Sequence, residues 1–153
     1  MRNLRDEVGE PVAELIVSGK SDLRPFQING SLVPRLIDEV PVLAVLATQC
    51  NGVSRIRDAS ELRVKESDRI ENVANGLRAM GAQVETHPDG LDIHGPVQLK
   101  AAIIDANGDH RIAMAFAIAG LVAEGETTIL NAQTVETSYP NFEQDLKRLA
   151  ELA

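Results

Sequence analysis

Glu61-Leu62-Arg63-Val64-Lys65-Glu66-Ser67-Asp68-Arg69-Ile70 sets six ionised side chains in ten residues and runs straight into an apolar periodic segment. Asp68 followed three residues later by Glu71 has the pattern of a capping box. Ile70, Val73, Leu77 and Met80 then recur at helical spacing, so a helix is predicted to run from the end of this stretch to Met80. Gly81 supplies its stop. The charge sign disagrees with the position. Lys65 and Arg69 stand beside a helix N-terminus, where free amides and the dipole favour anions. Cations set there either await an anion or are neutralised by Glu66, Asp68 and Glu71, because the dipole contributes only about 0.3–1 kcal/mol at an exposed site.

Upstream, Pro11 to Val17 and Phe26 to Ile28 read as strands, and the polar segment before Pro11 reads as peripheral. Val42 to Thr48 is almost wholly apolar and reads as a buried helix, with Asp38 placed as its N-cap and Pro41 in its first turn. Asn51-Gly52 ends it and Val53 to Arg57 reads as a strand. Downstream, Gln83 to Thr86 and Leu91 to His94, joined by His87-Pro88-Asp89-Gly90, predict a hairpin, and Ala101 to Asp105 a strand. Ile112 to Ala123 is apolar on every face, and such a helix is expected to be enclosed. Thr127 to Leu130 reads as a strand, Ser138 to Asn141 as a turn, and Phe142 to Leu152 as an amphipathic helix with Leu146 and Leu149 inward.

Laid over itself, the chain repeats. Asp38, an apolar helix, Gly52, a strand, Asp58-Ala59 and the helix to Met80 match Asp109, an apolar helix, Gly125, a strand, Asn131-Ala132 and the last helix. The offset is 71 residues at the aspartates and 73 at the glycines. Two β/α units, roughly residues 11–95 and 96–153, with their apolar helices side by side, are the simplest account. Because strands and helices do not alternate strictly, an α/β or α+β layered domain is expected rather than a doubly wound sheet.

Composition narrows the function. With 153 residues, 44% apolar and 25% charged, the chain suits one ordinary domain with a real core. A formal charge of −8 argues against nucleic acid and anionic membranes as partners, so a basic cluster is a local site. The lone Cys50 forms no intrachain disulfide and suits a reducing cytoplasm; before Asn51-Gly52 it reads as a buried or capping thiol. No charged-then-apolar leader is read at the N-terminus, and the run 112–123 is too short to span a bilayer. Aromatics at 3% make stacking on bases or sugars a poor recognition mode, and no phosphate-cradling glycine motif points to a nucleotide. His87 and His94 lack carboxylate or cysteine spacing for a metal, so none is expected.

The repeat sets Asp38, the Lys65-to-Arg69 stretch and Asp109-His110-Arg111 at equivalent strand-to-helix turns, so that one face carries all three. Arg111 repeats the oddity of a guanidinium at a helix mouth. Two arginines, a lysine and two helix N-termini suit a ligand with phosphate and carboxylate groups. Asp38 and Glu66 amid those cations suit proton transfer, one taking and one giving. The plainer account makes Asp38 and Asp109 N-caps only, His110 a structural donor, and pairs Arg111 with Asp105 or Asp109.

Leu62-Arg63-Val64-Lys65-Glu66-Ser67-Asp68-Arg69-Ile70, Gly108-Asp109-His110-Arg111-Ile112-Ala113-Met114 and Ile37-Asp38-Glu39-Val40-Pro41, with Ser138-Tyr139-Pro140, resemble the signatures of the 5-enolpyruvylshikimate-3-phosphate synthase family. The resemblance runs from about Glu14 to Leu149, and Glu61-Leu62 and Ser67 resemble its glyphosate-tolerant second-class branch. It implies an inverse α/β barrel domain, with buried helices enclosed by sheets. The implied reaction moves the enolpyruvyl group of phosphoenolpyruvate to the 5-hydroxyl of shikimate 3-phosphate, releasing phosphate without metal or cofactor. It also implies that Asp38 contacts the shikimate ring and acts as base, that Lys65 bridges both substrates, and that Glu66 protonates the methylene. Arg69 and Arg111 would hold phosphoenolpyruvate, with His110 beside them.

Two departures qualify this. Where some members carry a lysine before the C-terminal motif, the residues here are Glu136, Thr137 and Ser138. The family's enzymes have two domains of three units each, whereas this chain supplies about two units of one. A fragment inactive alone is expected, associating with the missing portion or with itself. Two other readings stay open: transfer to a UDP-amino sugar, and a non-catalytic phosphate-binding or assembly module.

Overall fold

The apolar segments and turn signals become six helices and eight strands in a computed structural model that describes residues 2–17, 19 and 22–151. Strands β1 (Arg2–Glu7) and β2 (Glu10–Glu14) form an antiparallel hairpin, so the segment read as peripheral is itself a strand. Its two-residue turn takes positive φ at both Val8 (57°) and Gly9 (85°), the backbone that matches strand twist. The strand expected over 11–17 stops at Glu14, whose ladder partner is Arg2. Beyond it no ladder pair is formed among the described residues, and Leu15, Ile16 and Val17 are exposed.

β3 (Gln27–Ile28), β4 (Gly52–Ile56), β5 (Gln83–His87) and β6 (Gly90–Gly95) form a sheet in the order β3-β4-β6-β5, with β3 and β4 parallel and the other pairs antiparallel. The predicted β5–β6 hairpin is present with a tighter loop: His87 pairs with Gly90, leaving only Pro88-Asp89 outside the ladder. β7 (Ile103–Asp105) and β8 (Thr128–Leu130) form a second parallel pair. After the short α1 (Val33–Leu36), helix α2 (Val40–Ala47) connects β3 to β4. Helix α4 (His110–Val122) connects β7 to β8, and the two helices pack against each other.

Matching residues close the two parallel pairs. Asp58 after β4 and Asn131 after β8 both take positive φ, 59° and 55°. Both side chains reach back to the neighbouring strand's end: Asp58 Oδ2 accepts from Gly30 N at 2.9 Å, and Asn131 Nδ2 donates to Asp105 Oδ1 at 2.8 Å. Asx residues tolerate this backbone because their short polar side chains bond locally.

Helix α3 (Arg69–Ala79) starts and stops where its sequence signals lie. Asp68 Oδ1 accepts from Glu71 N at 3.1 Å. Gly81 (φ 91°) donates to Arg78 O and Ala82 N to Leu77 O, the double bond of a Schellman end. Glu71 does not complete the capping box, since its carboxylate goes with that of Asp68 to Arg63, at 3.4 and 2.9 Å. Asp68→Ala is expected to cost about 1 kcal/mol in a urea titration, the usual worth of an N-cap.

The core lies where α2, α3 and α4 meet the inner face of the four-stranded sheet. Ile56, Leu62, Ile70, Leu77, Leu91, Ile93, Ile112 and Phe116 are fully buried there. Enclosure of α4 is one-sided: Ile112, Ala113, Ala115, Phe116 and Ala119 are buried, whereas Leu121 and Val122 are exposed. Short α5 (Val135–Ser138) ends inside the expected turn. α6 (Phe142–Glu151) follows it, and Leu152 falls outside the described residues. Leu146 lines a cavity with Ala113 and Val135, but Leu149, expected inward, is exposed, because no described element lies beyond that face of α6.

Candidate active site

Three helix mouths converge on one guanidinium. Arg69 opens α3, Asp109 is the N-cap of α4, and Asp38 lies two residues before α2. Arg69 is 1% exposed and gives its Nε to Asp109 Oδ2 at 2.8 Å, Nη1 to Asp38 Oδ1 at 2.8 Å and Nη2 to Glu66 Oε2 at 2.6 Å. The neighbours proposed to neutralise it thus contribute only Glu66, and the other two acids come from 31 and 40 residues away.

Asp109 is fully buried and does three things. It accepts from Arg69, from Ser67 Oγ at 2.9 Å and, as a cap, from Arg111 N at 2.9 Å. Burial pushes its carboxyl up, but the Arg69 and Ser67 bonds outweigh this and leave it below the usual carboxylate range. Asp38 is not the N-cap of α2. Glu39 holds that position without a side-chain cap bond, and Pro41 sits in the first turn as expected. Asp38 is drawn instead to Arg69 and, at 3.6 Å, to Arg111 Nη2. The Arg69 hydrogen bond holds its carboxyl low against burial, with Arg111 and Lys65 adding to the effect.

Arg111 donates Nη1 to Glu39 Oε1 at 3.3 Å, so neither partner anticipated for it, Asp105 or Asp109, pairs with its guanidinium. Lys65 pairs with Glu61, whose hydrogen bond raises the ammonium pKa, and it is near enough to Asp38 for the two charges to act on each other. His110 is half-buried at the first position of α4 and makes no side-chain hydrogen bond among the described residues. Asp38, Lys65, Glu66, Arg69 and Arg111 are therefore brought into one charged cluster, with His110 at its edge. Sequence reasoning missed Ser67, Glu39 and the second role of Asp109. Only the alternation of acids and bases in both motifs hinted at them.

Both folded carboxyls, Asp38 and Asp109, titrate below their unfolded values, so each contributes stability that is fully present above the ordinary unfolded value of about 3.9. That stability is lost as pH falls through the lower folded values. Urea midpoints should be level from pH 7 to about 5 and drop below about 4, with a shallower drop in Asp109→Asn.

Away from this cluster, the β5–β6 register brings Glu85, His87 and Asp92 together with ligand atoms within 4.8 Å, carboxylate spacing that sequence order did not reveal. Arg57 Nη2 lies 2.5 Å from Asp92 Oδ1, so a guanidinium already supplies the positive charge there.

Two packed helices, each connecting a parallel strand pair and set against a mixed sheet, are the fold of an enolpyruvyl transferase domain. One such transferase from Streptomyces tendae superposes with a TM-score of 0.69 over 84% of this chain and 28% of its own, at 24% identity, a likeness of fold alone. The chain belongs to the EPSP synthase (3-phosphoshikimate 1-carboxyvinyltransferase) family, whose model matches residues 3–146. It is similar to the EPSP synthase of Acinetobacter baumannii, with a TM-score of 0.90 and 38% identity over 95% of this chain and 34% of that one. The 3-phosphoshikimate 1-carboxyvinyltransferases of Roseiflexus sp. (strain RS-1) and Parasynechococcus marenigrum are 54% and 50% identical over 97% and 96% of the chain. The chain spans about a third of the length of these relatives, at 34% and 33%.

Proposed function

We propose that this chain carries part of the machinery that transfers the enolpyruvyl group of phosphoenolpyruvate to the 5-hydroxyl of shikimate 3-phosphate with release of phosphate. The observation that supports it most is that Asp38 lies between two guanidiniums, Arg69 at 2.8 Å and Arg111 at 3.6 Å, with Glu66 on the first of them. A substrate pair with two phosphates and a carboxylate needs cations, and proton transfer needs acids beside them. In this reading Asp38 takes the proton of the 5-hydroxyl as its oxygen bonds to the central carbon of phosphoenolpyruvate. Glu66 protonates the methylene. Phosphate then leaves as a proton is withdrawn from the new methyl group, restoring the double bond. Lys65 bridges the two substrates, and Arg111 and Arg69 hold the phosphoenolpyruvate anion, with His110 alongside.

The charge balance sets a condition. Asp38 between two guanidiniums is a weak base, because the Arg69 hydrogen bond lowers its affinity for a proton. A substrate anion that occupies Arg111 draws that charge away from Asp38 and strengthens it as a base. Arg69 stays positioned by Asp109.

The chain is read as one partial transferase domain of two repeat units, roughly 11–95 and 96–153, that acts with the portion it lacks and works in the cytoplasm. Among the described residues no helix is long and apolar enough to cross a membrane. The isolated chain should release no phosphate above background when given both substrates. Calorimetry should detect weak shikimate 3-phosphate binding and none of a UDP-amino sugar. Turnover by the chain alone would refute its status as a dependent part, and preference for the UDP-sugar would move the reading to another acceptor.

A further inference from the structure

Glu39 carries an acid at the N-cap of α2, where a carboxylate ordinarily accepts from the helix amides, yet its side chain makes no such bond. It accepts from Arg111 Nη1 at 3.3 Å instead, across 72 residues of sequence. The two arginines of the site are held differently. Arg69 is 1% exposed with contacts of 2.6–2.8 Å to three acids. Arg111 is 33% exposed, its only acidic contacts among the described residues being Glu39 at 3.3 Å and Asp38 at 3.6 Å. Asp38, Glu39 and Arg111 stand at the charged edge of an open, largely apolar cavity of about 230 Å³ shared with Val42, Ile118 and Phe142, so the guanidinium borders open space. Long contacts between half-exposed groups are weak, on the order of 0.2–1 kcal/mol, and are broken at little cost.

We propose that Glu39 is an intramolecular competitor for Arg111: its carboxylate occupies the guanidinium while the site is empty and must be displaced by an incoming anionic ligand. Glu39 is thus a positioning residue acting through Arg111. It keeps that side chain near Asp38 and sets how tightly the anion is held. The identity of the anion as phosphoenolpyruvate rests on the function proposed above, but the competition itself does not.

The test is calorimetric titration of the chain with inorganic phosphate and with phosphoenolpyruvate, in the wild type, Glu39→Gln and Glu85→Gln. The last removes the same charge on the distant β5 strand and so controls for net charge. Arg111 Nε resonances in the ligand-free proteins report whether the guanidinium is released. Glu39→Gln should free Arg111 and tighten phosphate binding about two- to five-fold, the worth of a half-exposed ion pair, with Glu85→Gln close to wild type. Equal affinities in wild type and Glu39→Gln, or an equal gain in both variants, overturn the proposal. A gain confined to Glu39→Gln, with phosphoenolpyruvate bound no better than phosphate, upholds the competition and counts against the enolpyruvyl reading.

Discussion

Asp109→Ala is expected to lower the unfolding free energy by about 3–5 kcal/mol, because it strips a charged partner from a guanidinium that is itself buried. Arg69 and Asp109 are 1% and 0% exposed, so water cannot take over the lost bonds, and Ser67 Oγ and Arg111 N lose their acceptor in the same step. The size of the loss separates two accounts of this residue. As an N-cap alone, Asp109 would contribute about 0.5–2 kcal/mol. As the clamp between α3 and α4 it contributes more, and Asp109→Asn, which keeps a capping oxygen but no charge, should fall between. Urea unfolding followed by circular dichroism measures all three proteins. A loss near 1 kcal/mol for the alanine variant would reduce Asp109 to its cap. Were that variant unfolded outright, Ser67→Ala would still report on the clamp, with an expected loss of about 1 kcal/mol for one hydrogen bond.

Gly76→Ala should also destabilise, although alanine is the better helix former by about 0.8–1 kcal/mol. Gly76 lies inside α3, where the ring of buried Phe116 from α4 packs against the bare backbone. A Cβ there would sit 2.1 Å from Phe116 Cζ and 2.7 Å from Cε1 and Cε2. Carbon atoms rest about 3.5–4 Å apart, so the ring or the helix must move, and overpacking of this kind costs about 1–3 kcal/mol. The net expectation is a loss of about 1–2 kcal/mol, opposite in sign to the propensity effect. Shortening the ring should relieve it: Phe116→Leu combined with Gly76→Ala should lose less than the sum of the two single changes, by about 1 kcal/mol or more, as contacting positions do. Additive losses, or a stabilised Gly76→Ala, would mean that the helices are not this close.

The two experiments probe one arrangement. Phe116 sets the spacing of α3 and α4 in the core, and that spacing lets Arg69 at one mouth reach Asp109 at the other. Slackening the packing should therefore weaken the clamp and lower any affinity for anions. That affinity would fall through geometry, without loss of a group that touches the anion.

Much of the fold was written locally. The apolar stretches of α2 and α4 and the Asp68 start and Gly81 stop of α3 all act within a few positions along the chain, and spacing alone exposes signals of that range. The 71-residue and 73-residue offsets could be read for the same reason, since each unit repeats its own punctuation. Where the reading went wrong, a neighbour distant in sequence had intervened. Asp38 left its helix for Arg69, and Arg111 turned to Glu39 rather than to Asp105 or Asp109; Leu149 faces outward for the opposite reason, that no described element covers it.

The amino-acid order by itself determined the main helices α2, α3, α4 and α6, the β5–β6 hairpin, and which two motifs carry cations at helix mouths against the dipole. Only the tertiary structure decided which acid meets which base. The chain has 23 carboxylates and 15 lysines and arginines, and charge attraction in water is too unselective to choose among them. Packing chose by burying Arg69 beside Asp109 and leaving Arg111 half in solvent, so that one arginine is locked by desolvation and the other is left for exchange.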